Sequence, residues 1–468
     1  MSHSLTHVKA RGVRRRHSVH AWLVLPVAVV VVLGVVGWAY VRGDLNPILC
    51  DGPCPDRYVT PPQALVVAEA HEPTVGGPGS APIDGDALAS AVSGPLAAES
   101  LGRRPGLVAL DARDGRVLVD RADRAFVPAS TTKVLTALAV LDRLGPESRF
   151  TTRVLQDGDR LTLVGGGDPY LTARRSASSP VERADLATLA RRAARQVRGP
   201  VRLRYDASLF SGPAVSPTWE PGYVPGGVVA PIHALWIDRG RVGAGRSADP
   251  ARDAARAFAD LLRAEGVRVI GEPEPATAAG EAVARVHSAR LVRIVERFLA
   301  ESDNEVAEVL LRQAAIGAGQ EPSFAGGAAT VETVLTDAGV PTDGLVLHDG
   351  SGLSRRNRIS ARTLAHALVH AARTPRLGAV LGGLPVAGLT GTLDDRFARE
   401  ASAGRGLVRA KTGTLTGVHT LAGIATLPQG RPVAFAVMAN GTRRIDPLQT
   451  QAALDRVAAA IADCACRG

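Results

Sequence analysis

The sequence predicts an α/β (α+β) protein: an antiparallel sheet flanked by helices, a smaller domain inserted into it, and an N-terminal transmembrane helix. Three observations lead there. Residues Ala21 to Val41 hold no charge over 21 positions, enough for a helix to cross a bilayer. Strand–turn–strand patterns, such as Gly106–Asp111 and Arg116–Val119 around Asp114-Gly115, stand beside apolar helical runs such as Val134–Leu141. Between about residues 146 and 285 the pattern changes to a set of short strands and one helix, as an insertion would.

Residues 1–20 hold Lys9, Arg11, Arg14, Arg15 and Arg16 and no acid. This basic tail lies ahead of the apolar run, so the positive-inside rule puts it in the cytoplasm and everything after Arg42 outside. Trp22, Trp38 and Tyr40 sit near the ends of the run, as interfacial anchors do. A cleaved signal peptide is the competing reading, but the run is long for one and no small-x-small site follows it. Cys50 is a poor lipoprotein site, because bulky Leu49 precedes it. The net charge of +10 owes half its value to the tail (10 − 5 = 5), and no aromatic-basic motif supports nucleic-acid binding.

Residues 42–82 are rich in Pro and Gly and read as a stalk. Segments 83–145 and 286–463 then form the main domain around an insert at 146–285. In order, the pattern predicts a helix from Asp84 to Leu96, the hairpin, and the Val134–Leu141 helix. Within the insert, strands are expected at Phe150–Leu155 and Leu161–Val164, then a tight turn at Gly165-Gly166-Gly167-Asp168-Pro169. No phosphate-binding fingerprint follows that glycine run. A helix over 181–198, a strand at Val201–Tyr205, a long Gly/Pro-rich loop over 211–231, and strands at Gly266–Ile270 and Val283–Val286 complete it. The main domain resumes with helices at His287–Leu299, 305–316 and Ser360–His370. Strands ending at Arg409–Thr414 and at Leu421–Ala425 and Val433–Met438 precede a closing helix, Leu454–Ile461.

The chemistry centres on Pro128-Ala129-Ser130-Thr131-Thr132-Lys133, which opens an apolar helix. Three residues apart, Ser130 and Lys133 share a helix face. A serine hydroxyl needs a base to become a nucleophile, and a lysine serves only when neutral. Ser-x-x-Lys alone is common, and a capped helix with a surface lysine is the ordinary explanation. Composition argues otherwise. Of 55 Lys plus Arg residues, only Lys9, Lys133 and Lys411 are lysine. Arginine cannot accept a proton, so a chain that uses it almost everywhere else has kept lysine where arginine would fail.

Three motifs stand in order: Ser130-x-x-Lys133, Ser302-Asp303-Asn304 and Lys411-Thr412-Gly413. Together they resemble the serine penicillin-binding proteins and β-lactamases. Gly165–Pro169, Asp349-Gly350-Ser351-Gly352-Leu353-Ser354 and Gly391-Thr392-Leu393 narrow the resemblance to the D-alanyl-D-alanine carboxypeptidase/endopeptidase group, the penicillin-binding protein 4 type of peptidase family S13, over roughly residues 84–460. The resemblance implies a penicillin-binding/β-lactamase-like transpeptidase fold. The gap from Ser130 to Ser302 (302 − 130 = 172) leaves room for an insert, though one shorter than this group usually has. Asp238 stands where the group leads one to expect asparagine.

The resemblance also implies roles. Ser130 attacks, Lys133 takes its proton, and Lys411 helps keep Lys133 neutral by repulsion. Ser302 relays a proton to the leaving amine, and Asn304 holds the substrate amide and Lys133. Thr412, Gly413 and Thr414 face the substrate, with the Ser130 and Thr414 amides as oxyanion hole, and Ser351 and Leu353 line the pocket for the last D-alanine. Peptidoglycan stem peptides are the implied substrate and β-lactams the covalent inhibitors. No cofactor or metal is needed, and the histidines show no ligand spacing. A β-lactamase would need a glutamate-bound water that no segment here supplies, and intact motifs argue against an inactive wall-binding protein.

Four cysteines lie at the two ends: Cys50, Cys54, Cys464 and Cys466. Outside the cell they are expected to form disulfides, since two close pairs without partner histidines make a poor metal site. In the resembling fold the first and last helices lie side by side, so cross-links from the stalk cysteines to the tail cysteines are expected.

Overall fold

The computed structural model describes residues 82–175, 183–242, 245–442 and 445–466. The basic tail, the Ala21–Val41 run, most of the stalk, Cys50 and Cys54 lie outside the described residues. Within them, no helix is long and apolar enough to cross a membrane.

Helix α1 (Gly85–Leu96) begins at Asp84, whose carboxylate caps the amides of Asp86 and Ala87. Strands β1 (Gly106–Asp111) and β2 (Val117–Arg121) follow as a hairpin, with Gly115 at φ 81° in its turn. Helix α2 (Thr132–Leu144) carries the apolar run and is buried from Thr132 to Leu141. A second group comprises β3 (Thr151–Asp157), β4 (Arg160–Val164), α3 (Leu186–Ala194), β5 (Val201–Asp206), α4 (Pro250–Ala264), β6 (Val269–Pro275) and β7 (Glu281–His287). Helices α5 (Leu291–Glu301), α6 (Asn304–Gly317), α7 (Phe324–Asp337) and α8 (Ala361–Arg373) come next. Strands β8 (Val408–Leu415), β9 (Val418–Thr426) and β10 (Pro432–Asn440) and helix α9 (Pro447–Ala462) close the chain.

The first sheet runs β8-β9-β10-β1-β2, and every pairing is antiparallel. Its central strands are apolar on both faces because helices cover both. Leu107 and Ala109 of β1, with Phe435 and Val437 of β10, face one core built from α1 and α9. Val108 and Leu110, with Ala434, Ala436 and Met438, face the other, built from α2, α5, α6, α7 and α8. The two-residue alternation of a strand thus sorts one continuous apolar run into two cores. The second sheet, β7-β3-β4-β5-β6, is antiparallel across β7–β3–β4 and parallel across β4–β5–β6. Helices α3 and α4 cover one face of it.

Several expected elements shift. The 181–198 helix shortens to α3, capped by Asp185. The strand placed at 266–270 starts at Val269 and runs to Pro275. Two long helices were not foreseen. Helix α4 buries Ala251, Ala254, Ala255, Phe258, Ala259 and Leu262, a helical stripe made mostly of alanine and therefore weak in hydropathy. Its Asp249 cap and Pro250 at the first turn were the available signal. Helix α7 contains Gly326 and Gly327, poor helix formers that the packing demands: a Cβ on Gly327 would strike Leu311 of α6.

The first and last helices do pack together, and the Asp84 amide reaches the Cys466 carbonyl at 3.3 Å. The expected stalk-to-tail cross-links are overturned, because Cys464 is bonded to Cys466. The chain turns after α9 and brings their Cα atoms to 5.2 Å, inside the normal disulfide range, so the small local ring can close.

Candidate active site

Ser130 lies in a short 3-10 turn, Ala129–Thr131, that runs directly into α2. Buried Ala129 sits at φ 48°, a left-handed conformation that costs a non-glycine residue energy. Two hydroxyls hold the turn: Thr131 donates to the Pro128 carbonyl at 2.7 Å and Thr132 to the Ala129 carbonyl at 2.9 Å. One turn on, Lys133 is fully buried. Its Nζ donates to Ser130 Oγ at 2.9 Å, to Asn304 Oδ1 at 2.8 Å and to the Ser351 carbonyl at 2.7 Å. Three acceptors match the three hydrogens of an ammonium, and a neutral amine at the same place turns its lone pair toward the serine.

Burial pushes Lys133 down from 10.5 to about 8, while the carboxylates of Glu308, Asp349, Asp303 and Glu305 hold it up. Lys411, on β8, is fully buried too, and its Nζ donates to the Thr412 carbonyl at 2.9 Å. Burial and then the charge of Lys133 push Lys411 well below the usual lysine value. Repulsion between the two lysines acts on both, so burial and their mutual charge together favour a neutral amine at this site.

Asn304 reaches the site because of a helix junction. Helix α5 stops at Ser302, which takes φ 57°, and Asp303 caps α6 by accepting from the Val306 amide at 3.1 Å. That leaves Asn304 as the first residue of α6, with its Nδ2 on the Val228 carbonyl at 3.2 Å. Ser302 is in the same turn, but among the described residues its hydroxyl makes no hydrogen bond to Ser130, Lys133 or Lys411. Gly413 lies where β8 passes the nucleophile: a Cβ there would stand 2.7 Å from the Pro128 carbonyl and 3.1 Å from the Ser130 amide. The hydroxyls of Thr412 and Thr392 meet at 2.9 Å, joining the third motif to Gly391-Thr392-Leu393. Thr414 is exposed on the same strand.

The structure brings Ser351 to the site through its backbone. The Ser351 side chain is buried, with its Oγ accepting from the Leu353 amide at 3.3 Å, and Leu353 packs into the main core. Neither side chain is placed to line an open pocket.

The motifs, their contacts and a matching family model converge. The model of the D-Ala-D-Ala carboxypeptidase 3 (S13) family matches residues 88–245 and 244–461. The chain belongs to that family. Carboxypeptidase DacB of Mycolicibacterium smegmatis is 36% identical to it over 429 residues, covering 86% of this chain and 91% of that protein. The D-alanyl-D-alanine carboxypeptidase of an Actinomadura species is 31% identical over 444 residues, covering 75% and 80%. In fold, this S13 chain matches the crystal structure of penicillin-binding protein 4 (dacB) from Haemophilus influenzae with a TM-score of 0.67, at 23% identity, over 79% of this chain and 97% of that one.

Two buried acids of this S13 chain, Glu308 and Asp349, have no role assigned from the sequence. Glu308 accepts from the Gly350 amide at 2.9 Å and the Ser351 amide at 2.8 Å, which aims the Ser351 carbonyl at Lys133. Burial and then the charge of Asp349 push Glu308 up to about 8. Asp349 takes four donors: Trp219 Nε1 at 2.8 Å, the amides of Gly352 and Ser354 at 3.0 and 2.6 Å, and Asn357 Nδ2 at 2.6 Å. Glu308 stands four residues after Asn304, on the same helix face, and that spacing was the signal to read. Asp238, the departure from the family pattern, sits at φ 50°, which aspartate tolerates as asparagine does, and accepts from the Thr172 hydroxyl at 2.7 Å. Its neighbour Arg239 pairs with Asp303 under the second motif, and Arg246 pairs with Glu305 at 2.6 Å.

Proposed function

We propose that this chain is a serine D,D-carboxypeptidase that removes the terminal D-alanine from peptidoglycan pentapeptide stems through an acyl-enzyme on Ser130. Membership of the S13 family supports the D-Ala-D-Ala carboxypeptidase activity. The observation that carries the serine mechanism is the position of Lys133, fully buried, 2.9 Å from Ser130 Oγ and lowered to about 8.

Neutral Lys133 takes the Ser130 proton as Oγ attacks the carbonyl between the two D-alanines. The amides of Ser130 and Thr414 receive the developing oxyanion, each donor worth about 3 kcal/mol. Ser302 passes a proton to the departing D-alanine amine, and Asn304 holds both the substrate amide and Lys133. Lys411, Thr412 and Thr414 face the terminal carboxylate, and Gly413 keeps β8 close enough for them to do so. Water then hydrolyses the acyl-enzyme. The same chemistry applied to a cross-link makes the enzyme an endopeptidase. β-Lactams acylate Ser130 in the same way. The uncharged run Ala21–Val41 behind a basic tail supports a single-pass anchor with the catalytic domain outside the cell.

The test is mass spectrometry of a muropeptide pentapeptide incubated with the full chain. Loss of one D-alanine is expected with the native chain and none with Ser130→Ala. Equal release by the variant would overturn the assignment of the nucleophile.

A further inference from the structure

A hollow of about 540 Å³ lies at the C-terminal end of α2, against the β3–β7 ladder of the second sheet. Helix α2 has 13 residues, so this end is about 20 Å from the Ser130 end, and the hollow is separate from the active site. Alternate residues of β3 and β7 put their side chains into it. Arg153 stands directly opposite Arg285, and Thr151 directly opposite His287, with the Thr151 hydroxyl and His287 Nδ1 3.0 Å apart. Arg149, two residues before Thr151, lies on the rim and donates to the Ser288 carbonyl at 2.7 Å.

No aspartate or glutamate is among the described residues that line this hollow. Like charges directly opposite on a sheet destabilise it. Here Arg153 and Arg285 form such a pair, both are exposed, and among the described residues neither makes an ion pair with a carboxylate. Asp206 interacts with Arg153 only through charge, without an ion-pair contact, and its two oxygens accept from the amides of Ser208 at 2.8 Å and Ala278 at 2.7 Å. Some exposed arginines pair with acids, as in Arg104–Asp123 and Arg256–Glu272. The run Gly165-Gly166 forms one wall, and a Cβ on Gly166 would strike the Thr151 carbonyl, so glycine lets the wall lie flat on β3.

We propose that this hollow binds a phosphate group, held between the Arg153 and Arg285 guanidinium groups with Thr151 and His287 beside it. A guanidinium offers a planar pair of donors that fits a phosphate, and a bound anion between the facing arginines offsets their repulsion. The group reaches the site either as free phosphate or as part of a phosphodiester chain. The site is independent of the catalytic residues and shares none of them.

Thermal unfolding of the full chain, purified in detergent, tests the proposal with inorganic phosphate and with glycerophosphoglycerol, a phosphodiester. At least one is expected to raise the melting temperature in a saturable way at constant ionic strength, and the stronger of the two identifies the source. Arg285→Gln should weaken binding about tenfold or more. Arg153→Gln combined with Arg285→Gln should abolish the shift, leave D-alanine release unchanged, and raise the ligand-free melting temperature at low salt. No saturable shift with either probe, a shift reproduced by chloride, or a shift that survives in the double variant would overturn the proposal.

Discussion

Replacing Glu308 by Gln should move the pH dependence of acylation to lower pH. With Lys133 at about 8, roughly one molecule in ten has the neutral amine at pH 7. The rate should therefore rise about tenfold per pH unit below 8 and level off above it. Glu308 supplies the largest of the charges that hold Lys133 up, and it is itself pushed up to about 8, so the native profile reports the pair. Glutamine removes that charge and leaves a single-group curve with its midpoint below the native one. It also keeps only one carbonyl oxygen for two amides, those of Gly350 and Ser351, so one amide loses its acceptor at about 1–3 kcal/mol. The plateau rate should fall as the Ser351 carbonyl loses its fixed aim. The assay is the second-order rate constant for labelling by a fluorescent penicillin, measured by stopped flow across the pH range for both proteins. A midpoint that stays put or rises in Glu308→Gln would refute the electrostatic reasoning, and a flat native profile would refute Lys133 as the base.

Lys133→Arg should be as damaging to acylation as Lys133→Ala, since arginine keeps the charge but cannot take a proton, whereas Lys411→Arg should retain more activity; labelling rates compare the four proteins. Gly352→Ala should slow labelling by about a hundredfold or more, because the residue sits at φ 84° and its Cβ would collide with the Ala129 carbonyl behind the nucleophile; native-like circular dichroism would separate this from unfolding. Arg239→Ala leaves Asp303 buried without its partner and should cost about 3 kcal/mol in denaturant unfolding; a loss below about 1 kcal/mol would show that the pair does not hold the α5–α6 junction.

The parts of the site that sequence exposed are those where the chemistry accepts few residue types. Lys133 and Lys411 stood out because arginine occupies nearly every other basic position, and both prove buried and electrostatically coupled. Strands β9 and β10 and helix α2 were legible from their apolar runs, and β8 from the Lys411-Thr412-Gly413 motif it carries. Helix α4 was hidden by its alanine stripe, and α7 by glycines that its packing requires. The helix spacing places Glu308 on the face of Asn304, but the two amides of a distant loop that close over it are visible only in the fold. The tail disulfide was not legible because it depends on the turn that follows α9, which no local pattern marks.

The most direct measurement of the central claim is to locate the penicillin adduct. Trypsin should release Ala125–Val127 and the nucleophile turn as one peptide ending at Lys133, because Arg124 and Lys133 flank it. After labelling of the full chain with benzylpenicillin, mass spectrometry should find the added mass on that peptide, with fragmentation placing it on Ser130 rather than on Thr131 or Thr132. An adduct on any other residue, or an unmodified peptide from fully labelled protein, would contradict the account.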